Sequence, residues 1–334
     1  MTPGAVLRQT IRPLRNTPFA RTVVASWRRL APSDAGPTLV ACSGGADSVA
    51  LLIALASAEP DDIRVAHIVH DMRQREESLA DAEHVRLIAA SLDLEYHQTE
   101  VTGAVTESTA RTLRYNALAE IAHTNACAHV ATAHHADDQL ETFLMRAIRG
   151  AAPSGLRAIA DRRELRPGLH LVRAALGVTH DECTAFCREA GVTWREDPTN
   201  LDTDRTRAAI RSRVVPALRE IRPDAAHRVA DAVRLQRDAH ALVTEAAGAV
   251  ANDGMTWQRS TLCEHSDLVV GHRLREDAIM KGCSPDRLTQ HILVPALRAI
   301  RDDSTDPREF DWGSGVVLRV TAHRVELVCA DPDD

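Results

Sequence analysis

Two stretches of this chain carry more chemistry than local folding requires. The first is ATAHHADDQLETFLMRAIRG, residues 131–150, with two histidines, two aspartates, a glutamine and a glutamate between His134 and Glu141. A helix start needs one capping carboxylate, here Asp137, so the surplus points to binding or proton handling. On a helix Asp138, Glu141 and Thr142 stand at i, i+3 and i+4 and share a face. Leu140, Phe143, Leu144, Ala147 and Ile148 fill the other side. A carboxylate pair of this kind can bind an ammonium group, hold Mg²⁺ or take a proton from an attacking amine. Zinc is the competing reading, but adjacent histidines on a strand point to opposite faces, which disfavours joint chelation by His134 and His135.

The second stretch is CSGGADS, residues 42–48. It lacks the lysine of the G-x-x-x-x-G-K-[ST] loop. Gly44 and Gly45 let backbone N–H groups approach a phosphate, the following helix N-terminus adds partial positive charge, and Ser43 and Ser48 add hydroxyls. Asp47 is misplaced for anion binding alone. Beside phosphate it makes sense as a ligand for Mg²⁺, which is commonly shared between a carboxylate and phosphate oxygens.

Both stretches need a scaffold. TLVAC (38–42) reads as a buried strand and the apolar run from about Asp47 as a helix. A strand at 63–69, a helix at 76–94, a short strand in LEYHQTEV, a helix at 107–126 and a strand in AHVATAHH follow. This alternation predicts an α/β fold with a doubly wound parallel sheet. Ligands then bind at the carboxyl ends of the strands, where the SGG turn, His70 and the His134–Glu141 cluster all fall. Beyond Pro153 the pattern changes to Arg-rich loops, a helix at 179–190 and a long helix at 223–250 that reads as a connector. After Gly254 come two helices and a strand pair. The expected organisation is a catalytic domain over 1–218 and a smaller, mainly helical or α+β domain over 219–334.

Composition sets bounds. The 44% hydrophobic and 26% charged residues are those of a globular protein, and no run approaches the roughly 20 apolar residues of a membrane span. Seven scattered cysteines form no C-x-x-C pair, and Cys183 and Cys187 read as buried small hydrophobes. The first 30 residues hold six arginines and no acid, a pattern an organelle transit peptide shares, but the first strand follows almost at once and the expectation is cytoplasmic. The net charge of −7 argues against a nucleic-acid partner until its distribution is considered, since acids gather in RDDSTDPREFD and at the C-terminus. Lys281 is the sole lysine, leaving basic function to arginine.

With both motifs in place the chain resembles the PP-loop ATP pyrophosphatases, and among them the short form of the tRNA(Ile)-lysidine synthetase family. HIVHDMRQREESLADAEHV, ESTARTLRYNAL, GLRAI and LVRAALGVTHDECTAFCREAGVTWREDPTNLDTDRTRAAIRSRVVPAL fit in order, over roughly residues 38–218. The resemblance implies ATP-dependent adenylation of O2 of the wobble cytidine in CAU-anticodon tRNA(Ile), then attack by free L-lysine, releasing AMP and pyrophosphate. It implies that Ser43, Gly44, Gly45, Asp47 and Ser48, with His70, serve ATP, and that Asp47 and Asp138 hold Mg²⁺. Asp138, Glu141, His134 and Arg207 would be catalytic, with Arg211 near the cytidine or the lysine carboxylate and Arg111 and Arg114 near nucleotide or RNA. A monomer or homodimer is expected, with residues 219–334 docking tRNA. Departures fall on the lysine side: V-H-D-M-R at 69–73 for N-H-G-L-R, R-A-A-I-R at 207–211 for R-N-x-I-R, and R-A-A-L at 173–176 for R-P-L-L. The alternative, a PP-loop tRNA thiolase, needs a thiolate or a cysteine-held cluster. Cys127, expected on a helix away from the strand ends, does not supply it.

Overall fold

The computed structural model describes residues 8–32, 35–70, 75–103, 106–151, 155–195, 205–285 and 287–329. They fall into two compact units, one drawn from 1–146 and 158–233, the other from 147–157 and 234–334.

The first unit is a six-stranded sheet in the order β3-β2-β1-β4-β6-β5. Its strands are β1 (Thr38–Ala41), β2 (Ile63–His70), β3 (Glu95–Val101), β4 (His129–Ala131), β5 (Arg162–Arg166) and β6 (Leu169–Val172). Neighbours pair in parallel, with Thr38 level with Ile63 and His129, except that β5 runs antiparallel to β6. The helices are α1 (Pro18–Leu30), α2 (Ala46–Ala58), α3 (Arg75–Ser91), α4 (Glu107–Thr124), α5 (Ala136–Ile148) and α6 (His180–Glu189). The expected doubly wound arrangement is present. The β5–β6 hairpin is an addition, because RRELR has the composition of a loop. It folds as an edge strand, where charge is tolerated.

The main core lies between β1 and β2 on one side and α1, α2 and α6 on the other. Almost the whole of α2 is buried, as a helix apolar all round must be. The arginine-rich start is no free arm from Arg8 onward. Ala20, Val23, Val24, Trp27 and Leu30 form the buried stripe of α1, and Trp27 Nε1 donates to Thr38 Oγ1 at 3.0 Å. Arg8 bonds the carbonyls of Leu92 and Asp93.

Next come α7 (Arg205–Ala209), one π-helical turn at Ile210–Val214, α8 (Val215–Ile221) and α9 (Ala225–Gly248). Pro216 explains the π turn, since it has no N–H to give and its ring crowds the carbonyl four residues back. The two units divide inside α9, between Val233 and Arg234, whereas the sequence changes character near 218.

The second unit packs α10 (Arg259–Cys263), α11 (Asp267–Met280) and α12 (Gln290–Arg301) on a four-stranded antiparallel sheet. Its strands are β7 (Thr256–Gln258), β8 (Arg308–Gly313), β9 (Val316–Val320) and β10 (Arg324–Cys329), in the order β7-β10-β9-β8. Three helices and four strands replace the expected two and two. TWQ is too short to show alternation, and REFDWG lies in the acid-rich run. A cleft of about 350 Å³ here is lined by Arg259, Arg301 and Asp302 among others. Arg259 is structural, because its guanidinium binds the Ala299 and Ile300 carbonyls that end α12. No described helix is long and apolar enough to cross a membrane.

His129 makes the first unit sensitive to acid. It is 1% exposed, and its Nδ1 has no hydrogen-bond partner among the described residues. Burial first, then the charges of Arg162 and His170, push its pKa down from 6.5 to about 4. The unfolded chain takes up a proton below about 6.5 that the folded chain refuses until about 4, so stability falls as pH drops through that window. At roughly 1.4 kcal/mol per unit the loss is on the order of 3 kcal/mol. Urea unfolding of a His129→Leu variant at pH 7 and pH 4 is expected to show a smaller acid loss than the parent.

Candidate active site

β1 and β4 are neighbours, but the chain leaves β1 towards β2 on its other side, so the sheet's switch point lies between them. The turn after β1 and the loop after β4 both open there. Gly44 takes φ +95°, a left-handed conformation that favours glycine. Gly45 has no such need, at φ −75°, and a Cβ there would meet nothing closer than Ser43 Oγ at 3.7 Å. The fold tolerates a side chain at 45; a ligand approaching the backbone would not. Gly45 is also the N-cap of α2 and offers it no side-chain hydrogen bond. The first N–H groups of α2 therefore point at the cleft without a cap, as an anion site requires. Ser48 Oγ holds the turn, accepting from Ser43 N at 3.1 Å and donating to Gly45 O at 2.9 Å.

Asp47 does not cap α2 either. Its Oδ1 lies 2.8 Å from His180 Nδ1 at the start of α6, and its Oδ2 lies 3.7 Å from His135 Nε2. Those contacts tie the SGG turn to the acidic helix start. β4 ends at Ala131, so His134 and His135 sit in a loop rather than on the expected longer strand. The alternation argument does not govern them. His134 turns inward, its Nδ1 3.0 Å from Thr132 Oγ1, while His135 turns to the carboxylates. Asp47, His135 and His180 bring one ligand atom each to within 4.8 Å of one another.

Asp137 was expected as the cap of α5. It instead accepts from His180 N at 2.9 Å and Arg219 Nη2 at 2.6 Å, locking α6 and α8 to α5. The capping bond goes to Asp138 Oδ2 from His135 N, at 3.1 Å. Asp138 and Glu141 share a face as expected, and Arg207 bridges them, with Nη2 3.0 Å from Asp138 Oδ1 and Nε 2.9 Å from Glu141 Oε2. Arg211, carried by the π turn, meets Glu141 through two bonds of 2.6 and 2.9 Å. Gln139 is structural, its amide clamping both backbone groups of Ile159. Ile148, expected on the apolar face, is 69% exposed.

Charge follows this geometry. Burial would lower His135, but Asp138, Asp137 and Asp47 outweigh it and raise its pKa to about 9. His180 is raised by its bond to Asp47. His134 goes the other way, lowered chiefly by burial, with Asp138 opposing. Burial would raise Asp138, but His135, His134 and Arg207 hold it below the usual range. At neutral pH the cleft therefore holds an ionised Asp137 and Asp138, a cationic His135 and a neutral His134.

The other expected site residues are placed less fully. Arg111 lies near enough to His134 to disfavour its proton. Arg114 follows one helical turn later in α4. His70 ends β2 at the carboxyl edge of the sheet. Asp71, Met72 and Arg73 of the V-H-D-M-R segment and residues 196–204 lie outside the described residues. Sequence reasoning missed His135, His180, Asp137 and Arg219 as partners. The capping box Thr179–Glu182 marks the start of α6 and could have directed attention to His180.

The PP-loop domain family matches residues 19–218. A tRNA(Ile)-lysidine synthase of Salinispora arenicola is 38% identical over 280 residues, covering 80% of this chain and 83% of that one. One from Nostoc is 30% identical over 273 residues, covering 80% and 79%. The chain belongs to the tRNA(Ile)-lysidine synthase family. It is accordingly a tRNA-modifying, ATP-using ligase that forms a carbon–nitrogen bond. Among solved structures, a U34-tRNA thiolase from Methanococcus maripaludis, with its 4Fe–4S cluster, matches at a TM-score of 0.53. At 15% identity over 66% of this chain and 79% of that one, it shares the fold alone. The thiolase alternative finds no support in the cysteines either. Cys127 is buried in the turn before β4, not on the expected helix, and burial raises it to about 11. Cys187 donates to Ala46 O behind the turn, and burial raises it to about 12. These are thiols, not thiolates.

The freedom at position 45 is directly testable. Gly45→Ala is expected to leave the thermal unfolding midpoint within a degree or two, while weakening ATP binding at least tenfold in titration calorimetry. An unchanged ATP affinity would detach the turn from nucleotide binding.

Proposed function

We propose that the cleft between β1 and β4 performs both half-reactions of lysidine formation on CAU-anticodon tRNA(Ile). One observation carries this: Asp47 of the SGG turn and the acidic start of α5 meet through His135, so a nucleotide and an amine would share one site. The uncapped α2 N-terminus, Gly45, Ser43 and Ser48 would receive the phosphates of ATP. Asp47 suits a Mg²⁺ ion shared with phosphate oxygens, which would neutralise charge on the leaving pyrophosphate. Asp138 is a weaker candidate ligand, since Arg207 and the His135 N–H occupy its two oxygens.

Adenylation turns the cytidine O2 into a good leaving group, and the lysine amine then attacks C2 while AMP departs. Free L-lysine brings an ammonium and a carboxylate. Asp138 and Glu141 would bind and orient the ammonium, displacing Arg207 and freeing it, with Arg211, for the lysine carboxylate. An Asp138 held ionised is first an electrostatic host. The ammonium must shed one proton to solvent to expose its lone pair, and Asp138 accepts the second as the C–N bond forms, when the nitrogen loses its basicity. His134, neutral and buried beside Arg173 and Arg111, would face the nucleotide.

The cytoplasmic location, the RNA-docking role of residues 219–334 and a monomeric or homodimeric state belong to the same reading. Asp138→Asn keeps an acceptor for the His135 N–H but turns an NH2 towards Arg207, so its thermal midpoint is measured beside its activity. Lysidine formation, followed by incorporation of labelled lysine with cognate tRNA, is expected to fall about 10²- to 10⁴-fold. ATP–pyrophosphate exchange should survive better. Near-parental lysine incorporation would remove Asp138 from the second half-reaction, and equal use of other amino acids would sink the lysine assignment.

A further inference from the structure

At the rim of the sheet beside His134, two guanidiniums lie against one aromatic ring. Arg111 Cζ lies 5.2 Å from the centroid of Tyr115, and Arg163 Cζ lies 4.9 Å from it. Arg111 and Tyr115 are neighbours one turn apart near the start of α4, and Arg163 comes from β5, level with Leu171 of β6. The hairpin absent from the sequence-based reading therefore delivers the second arginine. Arg173, 3% exposed, lies close to Tyr115 and hydrogen-bonds the Ala160 carbonyl, and its Nε has no partner among the described residues.

Burial, together with the like charges of Arg111 and Arg163, disfavours the charged form of Arg173. Neither Arg111 nor Arg163 meets a carboxylate among the described residues. Several exposed arginines elsewhere in this unit do: Arg28 pairs with Glu59, Arg75 with Glu100 and Arg86 with Glu83, whereas Arg12, Arg15, Arg21 and Arg162 meet none among the described residues. The contrast is sharpest along one seam. Arg166, three residues on in the same strand, pairs at 2.7 Å with Glu120 of the same helix α4.

We propose that Arg111, Tyr115 and Arg163 form a clamp for a backbone phosphate of the substrate RNA, next to the nucleotide being modified. The inference rests on the tRNA-modifying reading above. Planar guanidiniums bind phosphate bidentately, and stacking on tyrosine fixes their planes before the anion arrives. The clamp opens to solvent, and its arginines come from α4 and β5 rather than from the α2 N-terminus that suits the phosphates of ATP. That favours a polymer backbone over a free nucleotide. Arg173 lies close to the ring and acts through Tyr115.

The test measures tRNA binding directly, without turnover. Arg111→Gln/Arg163→Gln is expected to weaken binding of a tRNA(Ile) transcript about tenfold near 0.1 M salt. The log–log salt dependence should become shallower by about 0.7, from one phosphate no longer neutralised in a single-stranded segment. ATP affinity and the thermal midpoint report whether the site and fold are intact. Arg163→Gln alone, on an exposed strand position, should give part of the loss if the double variant folds poorly. Arg166→Gln, which removes an arginine already paired with Glu120, should bind tRNA like the parent. Parental affinity and slope in the double variant would overturn the clamp, as would an Arg166→Gln loss equal to that of Arg163→Gln. Failure of the parent to form lysidine would refute the proposed function, while these binding data would still judge the clamp.

Discussion

The site depends on the meeting of Asp47 with His135 and His180. Three helices, α2, α5 and α6, begin at one edge of the sheet, and each start exposes unsatisfied N–H groups with partial positive charge. Placing Asp47, Asp137 and Asp138 in those first turns satisfies two helices from within and leaves the third open. The α5 start is closed by Asp138, the α6 start by its capping box and by Asp137 on the His180 N–H, and α2 has no cap. The unsatisfied end is the one the glycine turn leads into. Local capping chemistry thus decides where an anion can bind.

The second constraint is charge balance in a poorly solvated place. Glu141 is 3% exposed and Asp137 5%, so neither carboxylate could be accommodated alone. Arg207, Arg211 and Arg219 supply the balance, all from the segment running from α7 through the π turn to α8. The same pairs that stabilise this segment occupy the positions a substrate ammonium and carboxylate would need. Binding would then exchange one set of ion pairs for another with little change in buried charge.

Much of this was legible in the sequence. The parallel sheet follows from alternating apolar strands and helices, and the placement of both motifs at strand carboxyl ends follows from the sheet. The shared face of Asp138 and Glu141 follows from helical spacing alone. What was not legible depended on long-range pairing. RRELR is a strand only because β6 lies beside it. His180 becomes a partner of Asp47, 133 positions away, only once α6 packs against α2. The division of labour between His134 and His135 turned on where β4 stops, and a strand boundary is set by its neighbours more than by its own residues.

The two outermost strands deserve a last consideration. β3 and β5 end the sheet on either side, and both are rich in charge: EYHQTEV holds two glutamates, and RRELR holds three arginines and a glutamate. A bare edge offers a ladder of free backbone groups to any passing chain, and charged side chains along it disfavour docking by another strand. The arginines that would grip RNA therefore also discourage self-association, so neutralising them wholesale would trade a binding defect for a tendency to aggregate.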